Sequence, residues 1–173
     1  MVSERLVQEL NSQVNAELYS AYLYLAMSAY FDAEGMTGFA GWMRAQAQEE
    51  TFHAYKFYHY LNERGARVRL PAIEEPPGDW SSPLAAFQNV AEHEAKVTAL
   101  IDGLMDSAVE ENDHATQAFL QWFVAEQVEE EATAQDIVQR LQMIGDSGQD
   151  MLMLDRELGA REFSLPAGEE EEE

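Results

Sequence analysis

The stretch GARVRLPAIEEPPGDWS, residues 65–81, packs three prolines and two glycines into 17 residues of a chain that otherwise reads as helix. Proline fixes φ and withholds a backbone donor, so no helix continues through it. On either side, apolar positions recur every three or four residues, and nowhere is there the strict alternation of a half-buried strand. Segment A runs from Ser3 to Asp32, B from Thr37 to Arg64, C from Ser82 to Glu111, D from Asp113 to Met143 and E from Ser147 to Leu158. Ser3, Thr37, Ser82 and Ser147 suit N-caps, because a hydroxyl can accept from an orphan N–H of the first turn. Gly35, Gly65 and Gly145 suit helix stops. A to B and C to D are joined by a few residues only, so those pairs pack antiparallel. At roughly 3.3 Å per extended residue, the Pro-rich stretch covers about 55 Å. A helix of about 28 residues is only about 42 Å long. The connection can therefore run the length of a bundle and leave B and C parallel. The fold expected is all-α, a four-helix bundle with one long B–C crossover and a short fifth C-terminal helix.

Composition narrows the chemistry. The chain has 173 residues, enough for one domain with a continuous core. It carries 33 Asp+Glu against 10 Lys+Arg, a formal charge of -23. Nucleic-acid binding rests on basic side chains and is not expected, whereas metal cations fit the balance. The terminal run Glu169 to Glu173 has no apolar residue to offset its ordering entropy, so residues 165–173 are expected to be a disordered acidic tail beyond a domain spanning 1–164. Cysteine is absent, which removes disulfides, thiolate metal sites and thiol catalysis. The longest apolar run, AYLYLAM, falls far short of the roughly 20 residues that span a bilayer. No membrane association and a cytoplasmic location are expected.

Ionisable groups interrupt the apolar seams. Segment A presents Leu6, Leu10, Val14, Glu17, Ala21 and Tyr24 on one face; B presents Phe39, Met43, Gln46, Glu50, His53 and Phe57. Segment C gives Val90, Glu94 and Val97; D gives Phe123, Gln127, Glu130 and Ala134. Glu17, Glu50, Glu94 and Gln127 all lie near the midpoints of helices of similar length. Midpoints meet whichever way each helix points, so these groups converge in one layer. Unpaired buried carboxylates cost several kcal/mol each and repel one another, and the seams offer no Lys or Arg to balance them. Protonation or bound cations must do so. Carboxylates with one imidazole suit Fe, Mn or Zn, and Glu50 and His53 at i and i+3 project from one helix face toward one metal. His59, His93 and His114 lack partners at matching spacing, and Tyr24 and Trp122 read first as packing beside the layer and only second as redox participants.

The motifs NAELYSAYLYL around Glu17, EETFHA around Glu50 and His53, EHE ending in Glu94, and QWFVAEQVEEE around Gln127 and Glu130 resemble the non-haem ferritins of bacteria and archaea over nearly the whole chain. The resemblance implies one iron on Glu17, Glu50 and His53, and a second on Glu50, Glu94 and Glu130, with Glu50 bridging and Gln127 supporting them. It implies a third iron site from Glu49, Glu126 and Glu129 with Glu130. The family's haem-binding members repeat Glu-x-x-His on the last long helix and place a Met after the helix-B Glu. Here Gln127, Glu130 and Thr51 stand at those positions, so no haem is expected. Rubrerythrins need cysteines that this chain lacks. Gln117, Leu120, Phe52 and Tyr55 stand where animal ferritins place channel and nucleation acids, so neither feature carries over.

The activity so implied is ferroxidase chemistry with iron storage. Fe(II) is oxidised by O2 or H2O2 at the dinuclear centre, and the ferric product is stored as mineral inside a homo-oligomeric cage of 24 subunits. Tyr24 would supply a further electron. The donor set also fits a di-metal redox or peroxide-detoxifying enzyme without storage, or a non-catalytic acidic helical scaffold.

Overall fold

The computed structural model describes residues 2–164, so the acidic tail expected over 165–173 lies outside the described residues. Five helices make up its regular structure: α1 (Glu4–Ala33), α2 (Thr37–Glu63), α3 (Pro83–Glu110), α4 (His114–Ile144) and α5 (Gly148–Leu158). Each limit falls within a residue of the predicted segments. Ser3, Ser82 and Ser147 cap α1, α3 and α5 as expected, and Asp113 caps α4 by accepting from Thr116 N–H. Gly35 and Gly65 stop α1 and α2 at φ 77° and 71°. Each lets the next residue's N–H reach back into the last turn, Met36 to Phe31 O and Ala66 to Leu61 O, both at 2.9 Å.

The start of α2 departs from expectation. Thr37 is already helical, and the N-cap is Met36, which makes no side-chain capping bond. The orphan donors are satisfied from the far end of the chain instead. Asp155 Oδ1 on α5 accepts from Gly38 N–H at 2.9 Å and from Phe39 N–H at 3.0 Å. A side chain at Gly38 would collide with α5, since a Cβ there would lie 1.7 Å from the Asp155 carbonyl oxygen. The short fifth helix is thus docked onto the N-terminus of α2, where a carboxylate also meets the positive end of the helix dipole.

α1 packs on α2 and α3 on α4, the antiparallel hairpins that the short connections require. The crossover runs the length of the bundle, as predicted, and does so along α1. Asn11 accepts from Arg69 N–H at 2.6 Å and donates to Arg67 O at 3.3 Å. Farther along, Asn15 donates to Ala72 O at 3.4 Å, and Trp80 packs edge-on against Tyr30 near the end of α1. The segment has no ladder of its own, so α1 side chains supply its backbone partners.

Burial divides the core in two. One apolar cluster gathers Met27, Phe31, Phe39, Met43, Phe87 and Leu141; the other gathers Leu6, Leu10, Phe57, Leu61, Ile101 and Phe123. Phe31 stacks on Phe39 in the first, and Phe57 on Phe123 in the second. Each such side chain contributes roughly 1.5–3 kcal/mol on burial. Between the clusters lies the polar layer. Among the described residues, no helix is long and apolar enough to cross a membrane.

Candidate metal centre

Four helices deliver the layer. Glu17 comes from α1, Glu50 and His53 from α2, Glu94 from α3, and Gln127 and Glu130 from α4, and all six are buried, with relative exposures from 1 to 7 %. Glu17, Glu50 and His53 form the compact group, each with a donor atom within 4.8 Å of the others. His53 Nδ1 lies 3.5 Å from Glu50 Oε2. Glu17 Oε2, Glu50 Oε2 and His53 Nε2 are buried and have no hydrogen-bond partner among the described residues. Buried polar atoms are almost always satisfied, and a divalent cation would satisfy two carboxylates and an imidazole.

Glu94 stands beside this group with both oxygens engaged, and Glu130 with one. Glu94 Oε1 accepts from the Tyr24 hydroxyl, and Glu94 Oε2 from Gln127 Nε2 at 3.2 Å. Glu130 Oε2 accepts from Gln46 Nε2 at 3.0 Å. Gln13, one turn before Glu17, donates to Glu17 Oε1 at 2.8 Å. Gln127 thus orients a carboxylate, and Gln13 and Gln46 do the same for two others. Spacing could have exposed Gln13, which is i to i+4 from Glu17. Gln46 lies in the α2 seam, but nothing in the sequence names its partner across the bundle.

Electrostatics matches the geometry. Burial pushes the Glu17 and Glu50 carboxyls far above the usual carboxylate range, reinforced for Glu17 by Glu50 and for Glu50 by Glu94 and Glu130. Burial also raises Glu94, against the opposing hydrogen bonds from Tyr24 and Gln127. Glu130 is pushed up to about 7, by burial first and the charge of Glu94 second. These groups hold protons more tightly than free carboxyls do, and a cation among them would favour their release. Tyr24 is fully buried, and burial and then Glu94 raise its hydroxyl well above the usual range, so it stays neutral and donates.

A second group lies outward. Glu49, His53 and Glu126 have donor atoms within 4.8 Å of one another. His53 completes this set, where the expectation placed Glu129 and Glu130; Glu129 is exposed on α4. Burial raises the Glu126 carboxyl as well. Glu49 carries an unforeseen partner, the Arg161 guanidinium, at 2.5 Å. The remaining histidines lie apart from both groups. His93 is buried with Nε2 2.8 Å from Ser20 Oγ, its pKa lowered to about 4 by burial and then Lys96. His59 stacks on Tyr55, and His114 opens α4. Trp122 packs edge-on against His53 and Phe123.

The sequence profile of the ferritin-like domain matches residues 7–144. The chain belongs to the ferritin family. It is 48% identical over 161 residues to a bacterial non-heme ferritin of Bacteroides fragilis, covering 93% of this chain and 100% of the relative. A bacterial non-heme ferritin of Staphylococcus aureus is 41% identical over 163 residues, 94% of this chain and 98% of the relative. Among solved ferritins, an engineered closed form of the Archaeoglobus fulgidus protein superposes with a TM-score of 0.94 at 55% identity, covering 95% of this chain and 100% of that one. The open-pore ferritin of the same archaeon gives 0.93 at 56% identity, covering 94% and 100%. The all-α bundle with one long crossover is therefore the ferritin fold.

Proposed function

We propose that this chain oxidises Fe(II) and stores the product. Iron is substrate and cargo here. The observation that carries the reading is the set of partnerless atoms Glu17 Oε2, Glu50 Oε2 and His53 Nε2 in a buried layer of proton-holding carboxylates, in a member of the ferritin family. Glu17, Glu50 and His53 hold one Fe(II), and Glu50, Glu94 and Glu130 a second, with Glu50 shared. Gln127 and Tyr24 keep Glu94 in place. Glu49, Glu126 and Glu129, with Glu130, bind a third ion outside the pair.

Two Fe(II) give two electrons to one O2, which takes two protons and leaves as H2O2; H2O2 serves as the alternative oxidant. The carboxylates favour the ferric product, because their charge stabilises Fe(III) more than Fe(II). Tyr24, whose hydroxyl donates to Glu94, is placed to supply a further electron. Ferric ions hydrolyse and collect as mineral within a cage of 24 copies, in the cytoplasm. Residues 2–164 form the ferritin-like di-iron domain.

Anaerobic loading with Fe(II) followed by O2 electrode measurement tests the chemistry. The parent protein should consume one O2 per two Fe(II). Glu50→Ala should slow oxidation by more than about tenfold, the loss typical even of groups that merely support metal ligands. Equal rates would remove the centre from the reaction. Size-exclusion mass tests storage, since a cage elutes at hundreds of kilodaltons, whereas a di-metal enzyme without storage needs no more than a small oligomer.

A further inference from the structure

Beyond α5 the chain turns back onto α2. Gly159 lies so close to Gly38 that a Cβ on it would meet the Gly38 Cα at 2.9 Å. The Arg161 guanidinium sits over the Trp42 ring, 4.8 Å from its centroid, and Phe163 meets Phe52 with ring centroids 6.0 Å apart. Gly38, Trp42, Glu49 and Phe52 recur at helical spacing on one face of α2. Residues 159–164 therefore follow that face in the direction of α2 and carry Arg161 to the height of the metal layer. There Arg161 Nη2 donates to Glu49 Oε2 at 2.5 Å, while Arg161 Nη1 is buried without a partner among the described residues. The guanidinium charge reaches Glu130 as well, opposing the rise in its pKa.

Glu49 thus belongs to two arrangements, the ion pair with Arg161 and the donor group with His53 and Glu126. A dication in that group would compete with the guanidinium for the same carboxylate and repel it. We propose that Arg161 is a displaceable countercation for the outer group. It holds Glu49 in the metal-free protein, and a divalent cation on Glu49 and Glu126 drives it off, freeing residues 159–164 from Trp42. Arg161 is a positioning residue that acts through Glu49 and weakens the outer site, so that an ion there passes on instead of staying. This inference rests on the reading of the outer group as a metal site.

Zn(II), which undergoes no redox chemistry, tests it by calorimetric titration of the assembled, metal-free protein. Arg161→Gln should bind the outer equivalent roughly fivefold more tightly, the scale of one partly exposed ion pair, with the inner sites unchanged. Arg161→Lys, which keeps the charge, should stay near the parent. Hydrogen exchange of residues 159–164 in the parent should speed up when Zn(II) is added. Equal outer affinity in parent and Arg161→Gln overturns the proposal, as does exchange in the parent that Zn(II) leaves unchanged; the exchange result decides the matter alone if Arg161→Gln does not assemble. Glu126→Ala identifies the outer equivalent. If no equivalent in the parent responds to Glu126→Ala, the outer-site reading itself fails, a result distinct from equal affinities.

Discussion

Gln46 on α2 donates its side-chain amide to Glu130 Oε2 on α4 at 3.0 Å, joining the two hairpins of the bundle through the polar layer. Gln46→Leu keeps the volume and removes the donor. Above the Glu130 pKa of about 7 the lost bond is to a charge, so the metal-free variant should be destabilised by about 1–3 kcal/mol at pH 8. At pH 5, where Glu130 is protonated, the loss should shrink. Urea denaturation at the two pH values reads the difference, and equal losses would mean that the contact carries no charge.

Glu17, Glu50, Glu94 and Glu130 all hold protons more tightly in the folded chain than the usual carboxylate value of 4.5. As pH rises above that value, the unfolded chain releases these protons while the folded chain keeps them. Folded-state stability therefore falls with rising pH, and for Glu130 the window runs from 4.5 to about 7. The metal-free protein should melt lower at pH 8 than at pH 5. Zn(II) should reverse the order and, at pH 6, release protons measurable in weakly buffered solution, because ligands bind deprotonated. A flat profile in chelator would contradict the buried-carboxylate account.

Gly38→Ala puts a Cβ 1.7 Å from the Asp155 carbonyl oxygen, which only a backbone shift can relieve. Overpacking of this kind costs typically about 1–3 kcal/mol. Asp155→Ala removes only the capping bonds to Gly38 and Phe39 and should cost about 1 kcal/mol. Limited proteolysis at the α4–α5 junction should accelerate more for Gly38→Ala than for Asp155→Ala.

Asp113 accepts from Arg64 Nη1 and Nη2 at 3.0 and 2.7 Å and from Thr116 N–H at 3.0 Å. The guanidinium holds its carboxyl far below the usual range, so its contribution to stability is present above the ordinary Asp value of 3.8 and is lost only in stronger acid. Asp113→Ala strips both the ion pair and the α4 cap, and should cost about 3 kcal/mol at neutral pH. Asp113→Asn keeps a capping oxygen and should recover about 1 kcal/mol of that in the same denaturation experiment.

Helix limits and the height of the polar layer were legible because both are local. Periodicity assigns Glu17, Glu50, Glu94 and Gln127 to inward faces, and counting from the caps sets their level. What lay hidden depends on residues distant along the chain. Thr37 looked like the cap of α2 because a hydroxyl stood at the right place, yet Asp155, 117 positions from Gly38, takes that role. Arg161 was invisible to a search of the seams for cations, because it reaches the layer from beyond α5, 112 positions from Glu49. The partner of Gln46 was equally hidden, since a stripe reveals which way an amide points and not what stands opposite.

The crossover leaves α1 and α2 as a self-contained antiparallel hairpin, and that hairpin alone carries Glu17, Glu50 and His53. A chain emerging from the ribosome therefore presents the entire ligand triad before α3 and α4 have emerged. A cation captured at that moment would staple the first hairpin shut, and Glu94 and Glu130 would then dock against charge already in place.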